Sequence, residues 1–310
     1  MPTELGQPRT KETTMPDVSV NRFGAAKGLI MSDVTQTNVN LSSLLSWISQ
    51  NNNIDLRDFK AATNVVLGTL PNKIRGIDIS GLPSLTSLSI TSSDSNSRPY
   101  LRIRDCISLS SFGSGSAGYF RSVDASGCTS LTTLTAVIKW QAGDPYPIAF
   151  AGCNALTNLD FYGGVGASDF GAITMDFSAL PALRYINSRT ATGLVGFIAP
   201  PCSSNAYFSF YNCTSLLTAD LSLATDLTNV SFQQCSALTT ITISPSITAI
   251  TLDAALCYLS EACVNDLVAK GVASGLSSQT LHIGGGNNHA LTGQGITDKA
   301  TLQGRGWTVN

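Results

Sequence analysis

The sequence predicts a mostly β, right-handed solenoid of about seven rungs, flanked by a helical N-terminal segment and an α/β C-terminal segment. Three observations predict it. An apolar pattern recurs around a corner residue at Leu82, Cys106, Cys128, Cys153, Leu180, Cys213 and Cys235. Leucine stands three residues after every one of these corners, from Leu85 to Leu238. Charged residues make up only 12% of the 310. A low charge density suits stacked strands, because like charges on neighbouring strands repel.

Residues 1–39 are polar and interrupted by Pro2, Pro8 and Pro16, which reads as an extended arm that needs something to lie on. The first twenty residues have no apolar centre, so no secretory signal peptide is expected. No run of apolar residues is long enough for a membrane-spanning helix. Residues 40–76 open with Leu41, Leu44, Leu45 and Ile48 at helical spacing behind Asn40, a good N-cap. The expectation is a helical N-terminal cap that covers the first rung.

The array spans 77–253. Its clearest unit is 227–243, where Val230, Phe232, Cys235, Leu238, Ile241 and Ile243 mark two short strands joined by a corner. Successive corners are separated by 24, 22, 25, 27, 33 and 22 residues. The extra residues are expected to form loops at 91–99, 139–147, 162–174 and 189–207, gathered along one side of the coil. Loops held together by a rigid frame are natural contact sites. Candidate partner-binding residues are therefore Phe197, Ile198, Pro200 and Tyr207 in the longest loop, with Trp140 and Tyr146 in another. Cys106, Cys128, Cys153, Cys213 and Cys235 are expected in a single column of free, buried thiols.

Residues 254–310 leave the pattern. Ser260 caps a predicted helix that Gly271 ends. A strand at 280–283, a helix from Thr297 and a last strand at 307–309 complete an α/β cap.

Catalytic chemistry is sparse. The two histidines, His282 and His289, both lie in the C-terminal segment, and His282 is expected to face outward beside Leu281. The glycine-rich stretches 113–118 and 284–288 lack the lysine-serine ending of a phosphate loop. No nucleophile elbow or Cys-x-x-Cys spacing is present. Catalytic residues, cofactors and metal ligands are not expected. Asp78, Asp124 and Asp176 recur at one outward place, a column suited to a cation or, more simply, to solvent. Arg98, Arg102, Arg104 and Arg121 form a basic cluster best explained by pairing with Asp105 and Asp124. A net charge of −2 without a basic block argues against nucleic acid as the main partner.

Phrases such as GCTSLTTL at 127–134 and NCTSLLTADL at 212–221 resemble leucine-rich-repeat proteins of the bacterial and bacteriophage type. The stretches LSEACVNDLVAKG and DKATLQGRGWTVN resemble the closing segment of such proteins carried by phages. The resemblance implies a non-catalytic virion component, such as a fibre, decoration or neck or tail part, assembled in the host cytoplasm. Its N-terminal arm would bind other virion proteins, and its corner loops a host surface receptor or glycan. An internalin-like bacterial adhesin and a cytosolic interaction scaffold are the alternatives.

Overall fold

The computed structural model describes residues 18–19, 28–31, 37–42, 52–70, 74–92, 99–113, 119–138, 148–161 and 172–310. The chain is mostly β, a parallel β-solenoid of about seven turns, with two helices among the described residues. It winds between two walls.

The first wall begins as a six-stranded sheet of β1 (Val18–Ser19), β2 (Gly28–Met31), β4 (Asn52–Asp55), β6 (Ile74–Asp78), β8 (Tyr100–Arg102) and β11 (Val123–Asp124). A bridge from Asp124 to Ala149 extends it. It resumes as a four-stranded sheet of β14 (Ile173–Asp176), β16 (Leu194–Ile198), β18 (Thr218–Leu221) and β20 (Thr240–Ile243).

The second wall starts with β3 (Asn38–Asn40), β5 (Asn64–Leu70) and β7 (Ser87–Ser92). It continues through β9 (Ser111–Gly113), β10 (Tyr119–Phe120), β12 (Thr133–Ile138), β13 (Asn158–Phe161) and β15 (Tyr185–Asn187). Above them lie β17 (Tyr207–Ser209), β19 (Asp226–Ser231), β21 (Ala249–Asp253), β22 (Thr280–His282) and β23 (Thr308–Val309). Among the described residues all strand pairings are parallel except that of β1 with β2.

Between the walls lies one continuous core. All seven leucines three residues past the corners are fully buried. Every corner but Leu180 also repeats a backbone conformation. The residue before it is left-handed at Gly81, Gly127 and Gly152, and equally at Asp105, Thr190, Asn212, Gln234 and Leu256. Glycine adopts this geometry without a Cβ clash, whereas the others accept strain because stacking holds the turn.

Aspartates fix the strand ends. Carboxylate oxygens of Asp78, Asp124, Asp176, Asp220 and Asp253 each accept the backbone N–H two residues on, at 2.9–3.1 Å. The aspartate column is thus explained as a set of Asx turns. Among the described residues no cluster of metal-ligating side chains forms. Of the basic cluster, Arg104 pairs with Asp124 at 3.6 Å as expected, Arg102 lies 3.5 Å from Asp78 rather than pairing with Asp105, and Arg98 lies outside the described residues.

The eight cysteines are free and buried. They do not form one column. Leu82, Cys106, Cys128, Cys153 and Leu180 follow first-wall strands, whereas Cys213 and Cys235 follow β17 and β19 of the second wall. The cause lies between Leu180 and Cys213, 33 residues apart, against 22 for the next interval. Thirty-three residues make one and a half turns. Residues 188–199 are the additional half turn, with Thr190 left-handed, Ala191 at the corner and Leu194 three residues on. The longest predicted loop is therefore a corner, the strand β16 and another corner. Above it, the thiols stand on the opposite edge of the coil.

Two further expectations are corrected. Residues 52–70 form strands, not a helical cap, while 43–50 lie outside the described residues. Ile54, Leu56, Phe59, Ala62, Val65 and Leu67 are all fully buried and reproduce the repeat around Phe59. Their three-residue spacing reads as a helix face, but β-branched Val65 and Val66 favour the strand. In the C-terminal segment α1 (Glu261–Ser274) runs through Gly271 and ends at left-handed Gly275. Gly271 instead admits Leu302 and Trp307, which would lie 3.1 and 3.3 Å from an added Cβ. Leu302 belongs to α2 (Gln294–Gly304).

Candidate functional site

Strand alternation turns one row of side chains inward and its neighbours outward. On the upper second wall Phe208, Val230, Leu252 and Leu281 point into the core, almost wholly buried. Tyr207 and Ser209, Asn229 and Ser231, Thr251 and Asp253, and Thr280 and His282 consequently face out. Register aligns Ser209, Ser231, Asp253 and His282 in one row across four strands. Together they floor an open groove of about 450 Å³. Arg189, Tyr211 and Gln233, each two residues before a corner, form its side. A bulge in β19 between Leu227 and Val230 leaves Thr228 and Asn229 exposed, and Asn229 lines the groove.

Its polar groups are held in place. Arg189 Nε donates to Ser209 Oγ at 3.2 Å. Asp253 accepts the Ala255 N–H at 3.0 Å. The rings of Tyr185 and Tyr207 stack in parallel, 4.7 Å apart at 6°. Below them Asp160 and Asn187 each keep one side-chain oxygen buried without a hydrogen-bond partner. Burial raises the Asp160 carboxyl above the ordinary range, against the opposing pull of Asn187 and Arg189. Burial likewise raises the Tyr185 phenol.

The arrangement can stack on a flat ligand and exchange hydrogen bonds with it. Asp253 stands between Ser231 and His282, and no hydrogen bond joins the serine to the imidazole.

Of the residues predicted to bind, Tyr207 lies in this groove. Phe197 does not, being 1% exposed in β16 with its ring 4.4 Å from that of Phe210 and 5.7 Å from that of Phe208. Ile198 is half-buried and Pro200 buried. The apolar character of 189–207 comes from core formation, and the exposed-loop expectation fails there. Trp140 and Tyr146 lie outside the described residues. Arg189, Tyr211, Gln233 and Asp253 were missed. The available signal was alternation: each is polar or amphipathic beside a buried neighbour.

No protein-family model, curated protein or solved structure matches the chain.

Proposed function

We propose that the chain is a non-catalytic binding solenoid of the leucine-rich-repeat type, serving as a structural component of a bacteriophage particle. The observation that carries the binding reading is the groove on the second wall, whose walls are stacked strands and corners rather than mobile loops. A rigid frame limits the ordering cost of capturing a partner. The resemblance of the repeat and the closing segment to phage proteins supports virion placement. The N-terminal region is assigned to anchoring on other virion proteins.

Residues 254–310 are read as the cap at the upper end. α1 lies beside β20, and Cys263 Sγ accepts the Ile241 N–H at 3.2 Å. Its buried Val264, Leu267 and Val268 cover apolar surface that an open coil end would expose.

Mass spectrometry of density-purified particles tests the placement. The expected result is peptides of this chain at constant stoichiometry with the shell proteins. Their absence from intact particles defeats it. A neutral polar groove also suits a bacterial surface adhesin, which immunolabelling of intact cells would reveal.

A further inference from the structure

We infer that the second-wall groove binds a neutral oligosaccharide; this rests on the wall being the binding face and names its ligand.

The lining excludes other classes first. Arg189 is the groove's sole guanidinium, and its Nε is held by Ser209. One such cation does not form the multi-phosphate footprint of a nucleic acid. The strands beneath the groove are paired on both sides, so an added peptide strand finds no free backbone edge there. The floor's aliphatic side chains, Val230 and Leu252, are 1% and 0% exposed. No socket for an apolar peptide anchor is left.

What remains matches a polyhydroxylated ring. Tyr207 presents an aromatic ring to the groove and is backed by Tyr185 in parallel contact. A fixed aromatic ring packs against the C–H face of a pyranose, while its hydroxyl stays available for hydrogen bonding. Beyond it lie the amides Asn229 and Gln233, each both donor and acceptor, and the hydroxyls of Ser231 and Thr251. These recur at the strand spacing of about 4.8 Å. That spacing is close to the length of one sugar ring, so successive rings of a chain laid along the solenoid axis meet successive strands.

The test uses the full chain on a glycan array bearing neutral hexose and N-acetylhexosamine oligosaccharides beside sialylated and sulfated ones. Calorimetry then follows on the neutral hits. Expected is binding to neutral oligosaccharides, weakened about tenfold in Tyr207→Ala by loss of one stacking contact. Tyr207→Phe, which keeps the ring, should bind more tightly than Tyr207→Ala, and Gln233→Ala, at a partly exposed side chain, should also weaken binding. Thermal unfolding must show all three variants folded. Absence of neutral binding at millimolar concentration, binding confined to anionic glycans, or affinity unchanged in both Tyr207→Ala and Gln233→Ala overturns the inference. Capture of a protein partner that the groove variants abolish, with no glycan bound, would also overturn it while leaving the binding wall in place.

Discussion

Each corner thiol has two tasks. Cys128 Sγ lies 2.8 Å from the carbonyl oxygen of Ile103 in the preceding rung. Cys153, Cys213, Cys235 and Cys257 repeat the contact at 2.9–3.0 Å. At Ala125, Phe210 and Phe232 the accepting carbonyl also takes the backbone N–H of its own corner, so there the thiol uses the second lone pair. Threonines do the same on a flank of the coil: Thr86 donates to Thr63, and Thr63 to Thr37, both at 3.1 Å. Replacing Cys128 by alanine removes a donor and a sulfur volume, with an expected cost of about 1–2 kcal/mol in urea unfolding. A change below the error of the measurement would show that the thiol only fills space. Burial of the cysteines was legible from their recurrence. Their donor role was not, because the acceptor belongs to another rung, more than twenty residues away.

The half turn at 188–199 is the element that joins two stretches of repeat. Phe197 is its centre, in ring contact with Phe177, Phe208 and Phe210. Phe197→Ala should destabilise by about 3–5 kcal/mol. Deleting 189–205 should abolish the cooperative transition, since β18 would lose its neighbour β16. A shortened protein that melts like the original would restore the loop reading. The existence, corners and leucine column of the array were legible because they repeat. The half turn was not, because small residues hide its pattern: Ser188 and Ala191 stand where phenylalanine and cysteine usually do. Leu194, three residues past Ala191, and an interval one and a half times its neighbour were the available clues. The groove was still less legible, since it depends on which outward rows the half turn brings together.

At the scale of the whole molecule, the thiols make stability depend on alkaline pH. Burial pushes Cys153 up to about 11 and Cys257 up to about 12, from an ordinary 9.0. Above pH 9 the unfolded chain releases these protons while the native chain keeps them. The stabilisation is therefore complete below about pH 9 and is lost as pH rises towards 12. Urea midpoints should fall between pH 9 and 11, and less steeply in a Cys153→Ala, Cys257→Ala double variant. Equal slopes would remove the thiols from the cause. The odd count of half turns between Leu180 and Cys213 has one more effect. An insertion of whole turns would have preserved parity and left Tyr211, Gln233 and Asp253 on the opposite flank from Tyr185 and Asn187. The odd step brings two differently written halves of the sequence onto a common front, and the trough opens along their seam.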